Sequence, residues 1–165
     1  MESIRASSVR LLTELRTIPP VGKASASILG VLVLAGGAYL VLPDFINLDS
    51  KPTVREMGKI LLVAMIFPAI CEELFFRGLL NLPQSVVSIS ISTVFFVTWH
   101  PVGARLFLPE AIPYFLDPRF LTMVAVFGVY FALIRKFTGS IWTSILCHWI
   151  LVGLWKGLGG AQFLT

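Results

Sequence analysis

Long apolar runs separated by short polar stretches dominate the pattern of this chain. A helix of ~20 apolar residues crosses ~30 Å of hydrocarbon, so the runs predict membrane-spanning helices. Several runs are shorter and need flanking residues or local thinning of the bilayer to cross. The predicted spans are residues 27–43, 54–80 with a kink at Pro68, 86–100 closed by Pro101, 119–134 and 141–155.

The stretches between the runs predict surface segments. Residues 1–25 mix basic positions with leucines at helical spacing, which predicts an interfacial helix that ends before Pro19. Residues 102–118 are rich in proline and predict a loop or a re-entrant piece on the membrane surface, and residues 135–140 predict a turn. The predicted domains are therefore the basic segment 1–25 and a single transmembrane bundle, 26–165.

Composition agrees with a multi-pass membrane protein. Hydrophobic residues make up 56% of the chain, charged residues 13%, and the mean hydropathy is +0.87, outside the usual range of soluble domains. The fold class is therefore predicted as an all-α transmembrane bundle of about five spans in a lipid bilayer. Four basic residues ahead of the first span favour an N-terminus on the inside.

Charge and cysteine content exclude some functions. The net charge of +4 comes without a basic patch interleaved with stacking aromatics, so no nucleic-acid partner is expected. Cys71 and Cys147 lie in apolar runs and are not spaced as pairs, which predicts neither a disulfide framework nor a Cys-x-x-Cys metal site. We expect both to behave as small hydrophobic residues.

One apolar run carries charges, in the stretch CEELFFR. Charged groups at membrane depth are costly and mark candidate functional sites. Glu73 and Arg77 lie four residues apart and are predicted to pair on a helix, whereas Glu72 is turned about 100° away from them. The only histidines, His100 and His148, also lie inside apolar runs. We therefore expect these groups, from three segments, to converge on one site.

Each of these residues also has a structural explanation. The Glu73–Arg77 pair can simply fix its helix, and a histidine at a helix end, such as His100, can donate to a backbone carbonyl. His148 has the same kind of alternative. The aromatic residues of the runs, Trp99 included, are most simply packing residues and interface anchors.

The pattern as a whole resembles the CAAX-protease and bacteriocin-processing family of intramembrane proteases, also called the CPBP or Abi family. The resemblance extends over residues 71–152. Its third motif has the hydrophobic form here, with Val152 where many members have asparagine, and valine cannot donate a hydrogen bond. The matching motifs are Glu72-Glu73-x-x-x-Arg77, Phe96-x-x-x-His100 and His148-x-x-x-Val152 after a Thr-Gly-Ser-Ile-Trp turn.

The resemblance implies peptide hydrolysis by a glutamate-activated water. Glu72 would be the general base, acting on a water that His100 also holds. His148 would donate to the oxygen on which negative charge develops, without the help that an asparagine at position 152 would give.

The resemblance also implies supporting residues and partners. Glu73 and Arg77 would lock the helix that carries the base, and Phe96 would pack against the imidazole one turn later. The implied partner is a peptide or protein substrate at the membrane, and prenylated C-terminal peptides, leader peptides and other precursors are all compatible. No cofactor is implied.

Two other functions fit the same residues. Glutamate and histidine also bind zinc or manganese, and such a metal could activate the water. The chain has no His-Glu-x-x-His motif, and metal analysis of the purified protein separates this alternative from the first. In the other alternative the polar side chains form an interhelical network that binds a peptide, confers immunity or assists folding. The valine at position 152 favours that interpretation.

Overall fold

The apolar runs form helices, which satisfy most backbone polar groups within their own segment, as a bilayer requires. The computed structural model describes residues 2–43, 45, 52–80 and 84–158, with side chains from residue 9 onward. This part of the chain contains helices and no strand, which confirms the all-α class. The helices are α1 (Glu2–Arg16), α2 (Val21–Val41), α3 (Val54–Ala64), a π-helix (Met65–Leu79), α4 (Val86–Phe107), a 3₁₀ turn (Pro109–Ala111), α5 (Ile112–Phe115), α6 (Pro118–Thr138) and α7 (Ile141–Leu158).

Among the described residues, four helices are long and apolar enough to cross a membrane: α2, α4, α6 and α7. The remaining predicted span, residues 54–80, is helical in two parts of different type. Thr53 is the N-cap of α3 and forms a capping box with Glu56, and α3 leads directly into the 15-residue π-helix. Pro68 lies inside the π-helix and contributes no N–H to its hydrogen bonds.

α4 extends beyond its predicted end. The sequence predicted a boundary at Pro101, but the helix continues through this residue to Phe107. A proline removes one helical hydrogen bond, and membrane helices tolerate this loss because neighbouring groups satisfy the freed carbonyl. The predicted loop 102–118 is therefore wrong in part: its first residues belong to α4, and the 3₁₀ turn and α5 follow.

The turn predicted at 135–140 is also shorter than expected. α6 continues to Thr138, and Gly139 ends it in the left-handed conformation, with φ of 70°. Arg135, predicted as a loop residue, therefore lies in the helix, and its side chain is completely buried. A buried counter-charge, described below, explains why a basic residue is tolerated there.

α7 is central to the bundle and packs against the π-helix, α6, α3 and α2. Glycines on α7 allow α3 to approach closely. A Cβ added at Gly153 would lie 2.7 Å from the Leu61 side chain, and one at Gly157 would lie 2.6 Å from the Met57 side chain. In lipid, helices associate through such close van der Waals contact rather than through the hydrophobic effect.

α1 ends at Arg16, before the proline pair, and its last turns pack against the bundle. Leu11 and Leu15 contact the core around Ile141. The indole Nε1 of Trp142 donates to the Leu15 carbonyl at 2.8 Å. The placement of α1 at the membrane interface stays a prediction.

Candidate active site

The two adjacent carboxylates lie in the middle of the π-helix and have different surroundings. The Glu73 side chain is completely buried, whereas that of Glu72 is 17% exposed. Glu73 Oε1 lies 3.1 Å from Nη1 of Arg77, which is equally buried. Each of these charges is therefore neutralised by the other in an apolar interior, where an unpaired charge would be strongly destabilising.

Besides Glu73, the Arg77 guanidinium contacts one backbone carbonyl and two aromatic rings. Its Nη2 donates to the Gly128 carbonyl of α6 at 3.2 Å. Its central carbon lies 3.8 Å from the centre of the Phe96 ring and 5.6 Å from that of Phe131, in the range of cation–π contacts. A Cβ at Gly128 would lie 3.1 Å from the Phe96 ring, so glycine makes room for this arrangement.

His148 of α7 contacts the carboxylates on both sides of its ring. Its Nδ1 lies 2.8 Å from Glu73 Oε1, and its Nε2 lies 3.9 Å from Glu72 Oε2. Phe131 stacks on the imidazole, with ring centres 5.0 Å apart. Because an ionised carboxylate can only accept, Nδ1 carries the proton in the hydrogen bond to Glu73. The Nε2 atom is left facing Glu72.

Trp99 is a further partner of Glu72. Its indole Nε1 donates to Glu72 Oε1 at 3.1 Å, while the buried Oε2 has no hydrogen-bond partner among the described residues. The sequence predicted Trp99 only as a packing residue and interface anchor. The available signal was its position next to His100, together with the need of an indole N–H in apolar surroundings for an acceptor.

His100 lies on α4 close to the other groups. Its Nδ1 is 2.8 Å from the Phe96 carbonyl oxygen, and because a carbonyl only accepts, Nε2 of the neutral ring is an acceptor. The Phe96 ring stands edge-on at 4.8 Å from His100 and at 5.9 Å from His148. In the described structure Glu72 makes its side-chain contacts with Trp99 and His148, not with His100.

Both histidines line a cavity of about 320 Å³ between α2, α4, α6 and α7. Val152, one turn after His148, lies in the same wall. The other lining residues are apolar or aromatic, so the cavity suits an apolar chain that reaches the two imidazoles. Examples are Leu32, Ala35, Phe127 and Trp155.

The cysteines do not take part in this cluster of polar side chains. Cys71 is exposed, Cys147 is buried, and both are free. Within the described ranges, no three His, Cys, Asp or Glu side chains are grouped as they would be around a metal ion.

Comparison with models of protein families gives a match. Residues 57–154 match the family described as type II CAAX prenyl endopeptidase Rce1-like. No curated protein and no solved structure matches the chain. The matched region contains every residue that the sequence motifs singled out, whereas α1 and α2 lie outside it. Because the match covers more than half of the 165 residues, the protein belongs to the Rce1-like family of type II CAAX prenyl endopeptidases.

Proposed function

We propose that the protein is an intramembrane endopeptidase in which Glu72 activates a water molecule for attack on a peptide bond. Membership in a family of endopeptidases supports hydrolysis as the reaction. The observation that carries the proposal is the pairing of Glu72 with His148. The buried Glu72 Oε2 has no hydrogen-bond partner among the described residues and lies 3.9 Å from His148 Nε2. A water or a substrate oxygen within ~3 Å of both atoms fits this separation.

The hydrogen bonds of the two imidazoles suggest how the water is oriented. Glu72 Oε2 accepts because it belongs to a carboxylate. His100 Nε2 accepts because the other ring nitrogen donates to a carbonyl. A water that donates one hydrogen to each keeps a lone pair free for the carbonyl carbon. Glu72 takes a proton from the water as the C–O bond forms, and returns it to the amine as the C–N bond breaks.

His148 is the proposed donor to the developing oxyanion. Its Nδ1–H is engaged by Glu73, so donation from Nε2 requires a ring that carries a proton on both nitrogens. By analogy with other oxyanion holes, such a donor contributes ~3 kcal/mol to transition-state stabilisation. Val152 adds no donor of its own.

Glu73 and Arg77 are positioning residues in this proposal. Their ion pair has no exposed surface, so neither side chain is available to a substrate. Glu73 instead fixes the orientation of the His148 ring through the 2.8 Å hydrogen bond. The proposed chemistry needs no metal ion or organic cofactor.

The proposed substrate is a membrane-bound peptide or protein with an apolar group near the scissile bond. The family description names prenyl endopeptidases, and the apolar cavity beside His100 and His148 has the character that an isoprenoid chain needs. A leader or precursor peptide with an apolar segment is the other class that this cavity accommodates.

The test is a comparison of peptide termini in membranes of cells that carry the native protein or Glu72→Gln at equal abundance. We expect a set of termini that is present with the native protein and absent with the variant. Cys71→Ser, a change at the exposed neighbouring position, is the matched control and should retain the set. Identical termini with folded native protein and folded Glu72→Gln would replace the peptidase proposal by peptide binding or immunity.

Trp99→Phe provides a second measurement. It keeps an aromatic ring and removes the N–H that donates a hydrogen bond to Glu72. Hydrogen bonds to charged groups contribute ~1.5–3 kcal/mol, so we expect kcat/KM to fall about 10- to 100-fold. Trp149→Phe is the matched control, since its indole donates to the Leu61 carbonyl at 2.8 Å instead. Equal losses in the two variants would show that Trp99 acts only through helix packing.

A further inference from the structure

Arg135 belongs to a buried ionic cluster that the proposed chemistry does not use. Its side chain, on α6, has no exposed surface. Its Nε lies 2.6 Å from Oε2 of Glu14, a residue of α1 that is 121 positions away in the sequence. Its Nη1 donates to the main-chain carbonyl of Arg77. The guanidinium therefore joins α1 to the helix that carries the candidate carboxylates.

The Glu14 carboxylate accepts hydrogen bonds from several side chains of this cluster. The residue is only 5% exposed. Besides Arg135, its carboxylate accepts from Gln84 Nε2 at 3.0 Å and from Arg10 Nε at 3.2 Å. A buried carboxylate that pairs with a buried arginine and accepts from two further donors is well compensated. It differs in this respect from an ordinary charge on an interfacial helix.

α1 also has a defined position against the rest of the bundle. Ser140 Oγ donates to the Thr17 carbonyl at 2.7 Å, just after the end of α1. A Cβ added at Gly78 would lie 3.3 Å from the Leu11 side chain, so α1 touches the π-helix directly. Glu14 is thus held where it can neutralise Arg135.

Arg135 acts on the C-terminal end of the π-helix. The last carbonyls of a helix lack partners within it and carry partial negative charge, so a cation there is stabilising. The Arg77 carbonyl lies two residues before the end of the helix at Leu79. The same residue carries the guanidinium that pairs with Glu73, so a fixed main chain at Arg77 also fixes the pair.

We propose that Glu14 and Arg135 are positioning residues for the reaction and that α1 is part of the catalytic unit, although it lies outside the region that matches the family. Glu14 neutralises Arg135, Arg135 holds the Arg77 carbonyl, and the Glu73–Arg77 pair orients the His148 ring. This inference rests on the proposed function. One part of it, that α1 holds the end of the π-helix in place, can be tested without measuring activity.

The double variant Glu14→Leu/Arg135→Leu separates positioning from simple stability. It removes both charges together, and replacing a buried ion pair by apolar residues is often neutral for stability. We expect a Tm close to native but a kcat lowered about 10²-fold, with KM little changed, because catalytic geometry is sensitive to displacements of ~1 Å. Arg16→Gln changes an exposed arginine of the same helix as Glu14 and is the control, expected to retain native kcat.

Hydrogen exchange measured by mass spectrometry gives a readout that does not depend on activity. The amide of Leu80 donates to the Phe75 carbonyl at 3.1 Å, at the end of the π-helix. We expect the amides of this end to lose protection in the double variant and to keep it in Arg16→Gln. Arg135→Lys is a second test: it keeps the charge beside Glu14 but not the planar fork, and should show the same loss.

Native kcat and native exchange in a folded double variant would overturn the inference and leave the cluster a purely structural one. If the double variant does not fold, unchanged exchange and kcat in Arg135→Lys would overturn it equally. A native protein without peptidase activity would instead overturn the proposed function, and the exchange data would still decide whether α1 controls the π-helix.

Discussion

Replacing Glu72 by glutamine is expected to lower kcat for peptide hydrolysis about 10²- to 10⁴-fold, the range that general acid–base catalysis contributes. Glutamine has nearly the shape of glutamate, and its amide oxygen still accepts the hydrogen bond from Trp99, so the fold should be retained. What glutamine cannot do is take a proton from the water. The measurement is kcat of purified protein on a peptide identified from the membrane comparison.

His100→Ala should show a loss of similar size, because the water then lacks its second acceptor. Glu110→Gln is the matched control, since this carboxylate is exposed on the 3₁₀ turn, and its activity should equal that of the native protein. Full activity of Glu72→Gln would exclude Glu72 as the base. A loss shared by the Glu110 variant would indicate a general effect of carboxylate removal.

The largest effect on stability is expected for Arg77→Leu, a destabilisation of about 3–5 kcal/mol. The substitution leaves the Glu73 carboxylate fully buried without its counter-ion. It also removes the hydrogen bond to the Gly128 carbonyl and the contact with the Phe96 ring. Unfolding of the purified protein in detergent, followed by temperature or denaturant, measures this change.

Two further variants show whether the buried charge is the cause. Arg105→Leu removes an exposed arginine near the end of α4 and should change stability little. Glu73→Leu/Arg77→Leu should recover part of the lost stability, because no unpaired charge remains. Its activity should stay low, since the Nδ1 of His148 has lost its acceptor. An Arg77→Leu protein as stable as the Arg105 variant would contradict this account.

The existence of the helices was predictable from the sequence, but several of their ends were not. Apolar runs of the right length must be helical in a bilayer, so the pattern was sufficient to predict them. A proline or a basic residue, by contrast, marks a helix end reliably only where water solvates the freed carbonyl or the charge. α4 continues through Pro101, and α6 continues past Arg135, whose charge is paired with Glu14 inside the protein.

Motif spacing predicted which polar residues share the site, although not all of their contacts. Glu72, Glu73 and His148 lie in direct contact or close to it, and His100 is linked to them through the Phe96 ring. Pairs of polar residues that lie far apart in the sequence left no signal in the hydrophobic pattern. Glu14, for example, has the pattern of an exposed residue on an amphipathic helix, and only the fold reveals its arginine 121 positions later.

Gly153 and Gly157 leave room for side chains of α3 on the surface of α7. Leu61 and Met57 pack at these two positions, and α3 leads directly into the π-helix that carries Glu72. Lipid tails are as apolar as the helices, and the bilayer itself does not press the two helices together. A methyl group at either glycine would take the space of the end of the Leu61 or Met57 side chain, which would have to move aside. Two residues without side chains thus make room for the side chains through which α3 packs on α7.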